Sequence, residues 1–190
     1  KLYEILSSSA EEGANIEIAK VNKLPGQSDE DYEGFKKNAK SLYLITIHIF
    51  DSKGGYIFTE SPSIFDEAKL PDSITRIIFD NSQRFRATLQ REPIHKLRVI
   101  FDFTRPSIFD FITMPSYATP NNSNIDIIGE TETWVHGTYK KVTESLKERG
   151  NKRGWIHANN IYDVFLWFAV IPLNLRLLYK INLKFQPIFT

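Results

Sequence analysis

The sequence predicts an α+β domain: an antiparallel meander of about five to six strands, a short N-terminal helical region, and two to three C-terminal helices packed on one face. Two observations predict it. Between residues 41 and 134, runs rich in Ile, Phe and Val alternate with short turn signals, the pattern of hairpin-linked strands. Beyond residue 134 the apolar period changes from two to that of a helix.

The elements follow in order. Residues 1–12 read as a short helix with Leu2, Ile5 and Leu6 on one side. Residues 15–23 alternate, with Ile16, Ile18 and Val21 apolar, and read as a strand or edge segment. Pro25-Gly26 is a turn. Ser28 then caps a helix over residues 29–40, whose acids come early and lysines late, as the helix dipole prefers. Residues 42–50 are almost continuously apolar and β-branched, the mark of a central buried strand. A turn at 51–55 returns the chain as a hairpin partner over 56–59. Further strands are expected at 74–80, 83–91 and 97–103.

In the 83–91 run Phe85, Ala87 and Leu89 alternate with Arg84, Arg86, Thr88 and Gln90. In the next run Leu97, Val99, Phe101 and Phe103 alternate with Arg98, Ile100 and Asp102. Residues 104–124 are loop-like, and 125–133 form one more strand. Val135, Tyr139, Val142 and Leu146 share one face of a helix stopped by Gly150. A second helix is capped by Asn159 or Asn160 and runs to about Ile171, where Pro172 breaks or kinks it ahead of 173–183. Pro-Ser-Ile-Phe-Asp occurs at 62–66 and again at 106–110, each time after a strand and ahead of another, either as a local turn or as the mark of duplicated strand–loop–strand units.

Composition narrows the function classes. The 190 residues are 42% apolar and 25% charged, which suits one domain over 1–190 with segments 1–40, 41–134 and 135–190. Net charge is +1, so any electrostatic role rests on local patches. No cysteine is present, which excludes a disulfide framework, a thiolate zinc site and a cysteine nucleophile. Walker, dinucleotide-type, G-x-S-x-G and HExxH patterns are absent, and no cofactor or metal is implied.

Three candidate sites emerge. If strand 83–91 pairs with strand 97–103, Arg84, Arg86 and Arg98 project from one face, joined by Arg76. Like charges across strands need compensation, from Asp80, Glu92 and Asp102 or from an anionic partner such as nucleic acid or lipid headgroups. Exposed aromatics among those cations, which a single-stranded nucleic-acid platform requires, are not evident in the alternation.

The second candidate is the apolar block 161–171. Its eleven residues include Asp163 and fall short of the ~20 that cross a bilayer. It reads either as a core helix or as an interfacial or partner-docking helix, with Trp155, Trp167, Arg176 and Tyr179 as anchors. A membrane segment beyond Thr190 is a further expectation. The third candidate is catalytic: His136 and His157 bracket the amphipathic helix and, with Asp163 or another carboxylate, would form an acid–base site.

The expected function is therefore a non-enzymatic binding or interaction domain, cytoplasmic, engaging a protein or an anionic surface through the arginine face. The alternatives are a membrane-associated domain anchored by the aromatic C-terminal helix, and an enzyme of unfamiliar type using His136 and His157.

Overall fold

The computed structural model describes residues 1–66, 70–104, 122–148 and 166–185. Contacts divide the chain into two compact units, Lys1–Thr104 with Asn121–Gly150, and Arg105–Pro120 with Asn151–Thr190.

The first unit is α+β, as the pattern predicts. Helices α1 (Leu2–Ile18) and α2 (Asp29–Ser41) precede β1 (Thr46–Asp51), β2 (Tyr56–Thr59), a 3-10 turn at Pro62–Phe65 and β3 (Ile74–Asp80). Then come α3 (Gln83–Leu89), β4 (Lys96–Asp102), β5 (Asn124–Ile128) and α4 (Glu132–Lys147). The five strands form one sheet in the order β2-β1-β3-β4-β5, every neighbour antiparallel. From β1 through β3 and β4 to β5 it is a meander, while β2 folds to the outer side of β1. The link from β2 to β3 therefore crosses β1, and its Ile64 and Leu70 pack against the core as it passes.

One sheet face is covered. Ile47 and Ile49 of β1, Phe79 of β3, and Leu97 and Val99 of β4 meet Leu6 and Ala10 of α1 and Trp134 and Val142 of α4. The buried stripe of α1 (Leu6, Ser9, Ala10, Gly13, Ala14 and Ile18) has helical spacing but mostly small residues, which let the helix sit close. Gly13 shows how close: a Cβ there would stand 2.9 Å from His95 Cβ and 3.1 Å from Trp134 Cζ2. The Trp134 indole nitrogen donates to the Ser9 carbonyl at 2.9 Å, joining α4 to α1.

Several local readings hold. Ser28 caps α2, its hydroxyl accepting from Asp31 N–H at 3.0 Å. The β1–β2 turn relies on Gly54 at φ +85°, a conformation glycine adopts without penalty.

Others are corrected. Residues 15–23 contain no strand, because α1 runs on to Ile18. The segment expected as a strand at 83–91 is the helix α3. Gln, Arg, Ala and Leu are good helix formers, and of its apolar residues only Phe85 is buried, so the alternation reflected no two-sided packing. The first long strand begins at Thr46 rather than 42, and β5 ends at Ile128, leaving residues 132 and 133 to α4. On α4 Val135, Val142 and Leu146 pack on the core as expected, joined by Trp134, Thr138 and Ser145, and only Tyr139 of the expected face is exposed.

In the second unit, a π-helical turn at Leu166–Val170 leads into α5 (Ile171–Phe185). Pro172 stands where the winding changes from π to α, two residues past the end of the π turn, so it does not end the helical run at this point. The second Pro-Ser-Ile-Phe-Asp segment, Asn159, Asn160 and Gly150 lie outside the described residues.

Candidate functional site

Strand alternation places a second set of side chains on the sheet face opposite the core. Register aligns Tyr56 with Phe50 and Phe58 with His48, then Phe50 with Arg76, His48 with Ile78 and Thr46 with Asp80. Beyond these, Arg76 faces Asp102, Ile78 faces Ile100 and Asp80 faces Arg98, and Arg98 in turn faces Asp126 of β5. This face combines an aromatic edge (Tyr56, Phe58, Phe50 and His48) with an apolar centre (Ile78, Ile100) flanked along β3 and β4 by two charged pairs, Arg76 with Asp102 and Asp80 with Arg98.

The aromatic edge is built by β2. Because β2 lies outside β1, Tyr56 sits 5.1 Å from Phe50 between ring centroids, and Phe58 meets His48 edge-on at 5.2 Å. Tyr56 and Phe58 are about half exposed, at 54% and 48%. The His48 ring bridges the Tyr56 hydroxyl, 2.8 Å from Nδ1, and the Thr46 hydroxyl, 3.1 Å from Nε2. Thr46 gives its one proton to the Asp80 carbonyl at 2.8 Å, so Nε2 must donate to Thr46 while Nδ1 accepts from Tyr56. Burial lowers the His48 pKa, aided by the Arg98 and Arg86 charges and opposed by Asp80, which agrees with a neutral ring.

The four sequence-predicted arginines divide. Arg76 and Arg98 lie on this face, as the alternation of β3 and β4 predicts. Arg84 and Arg86 ride on α3, so they are not cross-strand neighbours of Arg98. Each arginine has a carboxylate. Arg76 stands 3.8 Å from Asp102, and Arg98 3.9 Å from Asp80. Arg86 reaches Asp80 at 3.2 Å and Glu92 at 3.1 Å. Arg84 bonds Glu60 and the Ser41 carbonyl, the latter at 3.2 Å. The charged groups of this face are thus internally compensated. Hydrogen bonds from the Thr104 hydroxyl and backbone hold the Asp102 carboxyl below its usual range. Yet Asp102 Oδ2 and Arg98 Nε are enclosed without a hydrogen-bond partner, so these two pairs are looser than their proximity suggests.

On the other side of the sheet lies a buried polar network that no sequence pattern announced. Glu17 Oε1 accepts the His95 backbone N–H at 2.6 Å and lies 3.2 Å from Nδ1 of the same ring. Its other oxygen accepts the Tyr43 hydroxyl at 2.7 Å, and His95 Nε2 lies 3.4 Å from the Thr131 hydroxyl. Burial, then the Glu17 carboxylate, drives the Tyr43 pKa far above the usual tyrosine value. His95 is fully buried and meets Trp134 edge-on at 4.9 Å. These contacts tie α1 and α4 to the start of β4.

Of the catalytic candidates His136, His157 and Asp163, only His136 falls among the described residues. His136 is exposed on α4, 3.5 Å from Glu132 of the same helix. His157 and Asp163 lie outside the described residues, as does Trp155. Among the described residues no cluster of three or more His, Asp or Glu could hold a metal.

The docking candidates Trp167, Arg176 and Tyr179 fall on the π turn and α5. Trp167 and Phe168 are 68% and 81% exposed, and Leu173, Leu175, Leu177, Leu178 and Tyr179 are exposed as well. Among the described residues no helix is long and apolar enough to cross a membrane.

No protein-family model matches this sequence, and comparison with curated proteins and with solved structures likewise finds no match.

Proposed function

We propose that the chain is a non-enzymatic binding domain that recognises a protein partner through the outer sheet face. The observation that supports this reading is the half-exposed pair Tyr56 and Phe58, standing over His48 and Phe50 at one edge of an otherwise charge-balanced surface. Aromatic side chains offer large contact area at small entropic cost, and protein interfaces concentrate their binding energy in such residues inside a polar rim. Arginines already matched by Asp80, Asp102, Glu60 and Glu92 suit that rim. A polyanion would have to displace those carboxylates, and counterion release rewards uncompensated cations.

The test is photo-crosslinking from a benzophenone side chain placed at Phe58, with Tyr56→Ser in the comparison arm. A discrete protein adduct, lost in the Tyr56→Ser chain while its melting temperature is kept, supports the reading. Retention on heparin at physiological salt, abolished by Arg76→Glu with Arg98→Glu, would replace it with an anionic partner.

A second reading, attachment to a membrane surface, is favoured by the second unit. Trp167, Phe168 and the exposed leucines of α5 accompany Arg176 and Lys180, and no acid occurs between residues 164 and 190. Co-sedimentation with anionic vesicles that is reversed by salt and lost in Trp167→Glu supports it, and no sedimentation by the unaltered chain removes it.

A further inference from the structure

Apart from the outer face, the first unit contains a cleft of about 670 Å³, bounded by the end of α1, by α2 and by α3. That volume lies within the usual range for small-molecule sites, about 300–1,000 Å³. Its floor is buried: Ile18, Tyr43 and Phe85 are each at most 6% exposed, and the Tyr43 and Phe85 rings meet edge-on at 5.1 Å. Its rim is apolar and open, since Val21, Phe35, Leu89 and Ile94 are each 40–44% exposed. Large apolar side chains left half in water around a recess mark a surface that lacks its occupant.

The charged groups at the cleft specify that occupant. Glu17 lines it, but both its oxygens are engaged by His95 and Tyr43. Lys20 is held by Glu130 at 2.6 Å. Arg91 is different. It lies over the Phe85 ring, 5.6 Å from the centroid, and among the described residues it makes no ion pair. The cleft thus offers one guanidinium without a carboxylate, beside an apolar recess. A second negative charge on the ligand would face the Glu17 carboxylate.

We propose that this cleft binds an amphipathic monocarboxylate, its chain in the recess between Val21, Phe35 and Leu89 and its carboxylate on Arg91. A guanidinium suits that group because its fork matches both oxygens of a carboxylate.

Titration calorimetry with dodecanoate and dodecanol, both below their aggregation limits, tests the proposal. Saturable binding of one dodecanoate per chain is expected, at least about tenfold tighter than dodecanol, the scale of a charge-assisted hydrogen bond. Arg91→Gln should bring the two ligands level, and Val21→Asp at the rim should abolish both. Equal affinities on the unaltered chain, no saturable binding of either ligand, or an unchanged preference in folded Arg91→Gln would each overturn it. The comparison of acid with alcohol needs no variant, so it decides the matter even if Arg91→Gln does not fold.

Discussion

Glu17, in the last turn of α1, accepts the backbone N–H of His95 at 2.6 Å across 78 residues of sequence. A helix end is thereby tied to the start of an inner strand through a side chain that is 10% exposed, and the His95 ring is enclosed completely. Removing the acceptor leaves a buried N–H and ring nitrogen in want of partners. Glu17→Ala is expected to cost about 3 kcal/mol, the sum of such unmet groups, read as a lower urea midpoint. Glu17→Gln keeps an acceptor oxygen and should cost less than half as much.

The close seat of α1 makes a different demand at Gly13. In most helices Gly→Ala is stabilising, by roughly 0.5–1 kcal/mol. Here the added methyl meets His95 Cβ and the Trp134 ring, neither free to withdraw. Gly13→Ala should therefore destabilise by about 1–2 kcal/mol, with overpacking exceeding the propensity gain. Gly34 of α2, where a Cβ meets nothing within 4 Å, supplies the contrast: Gly34→Ala should raise the melting temperature.

Tyr43 weakens the fold at alkaline pH. Its pKa is raised in the fold above the ordinary 10.0, so the folded chain keeps a proton that the unfolded chain releases above that pH. The unfolded state then binds fewer protons, and stability falls as pH rises beyond about 10, by up to ~1.4 kcal/mol per pH unit. Tyr43→Phe should flatten this decline while lowering stability at neutral pH through loss of the bond to Glu17. Denaturant titrations of both chains between pH 8 and 11 measure the difference.

His48 acts at the acid end with the opposite sign. Its folded pKa is lowered from 6.5, so below that pH the unfolded chain takes up a proton the fold resists. Stability contributed by the neutral ring is complete above about 6.5 and is lost as pH falls toward the depressed value. His48→Gln should remove this loss between pH 7 and 5. Were the unaltered chain and the variant to show the same acid profile, the neutral Nε2–H assignment on the outer face would be wrong.

Arg84 separates a structural from a binding role for the arginines. Arg84→Glu would set a new acid against Glu60 and release the Ser41 carbonyl, and should cost about 1 kcal/mol, discounted for exposure of both side chains. The charge of Arg84 thus serves the join between α2, β2 and α3, which denaturation will show without any partner present.

Where one side of an element is packed and the other wet, its sequence alone was informative. Leu97, Val99 and Phe101 face the core and Arg98 and Asp102 face outward, as their alternation states. The segment at 83–91 alternates just as cleanly, yet α3 forms because a single anchor, Phe85, suffices for a short helix of strong helix formers. The aromatic edge of the outer face was hidden for another reason. Tyr56 and Phe58 look like ordinary hairpin residues until the order β2-β1-β3 sets them beside His48 and Phe50. Glu17, Tyr43 and His95 are polar residues scattered through three segments, and periodicity says nothing about side chains that meet across the whole fold. Nor did it reveal the cleft, whose walls come from three separate helices.

The contacts of α1 with α4 have a consequence in time. Ser9 waits for Trp134, and Glu12 for Lys141, partners 125 and 129 residues later in the chain. Synthesised ahead of the strands, α1 completes its packing only after α4 has followed them and the long loop between the two helices has closed. Until then Ile47, Ile49, Leu97 and Val99 lack part of their cover, so the interval between the synthesis of β4 and that of α4 is when this chain is most exposed to aggregation.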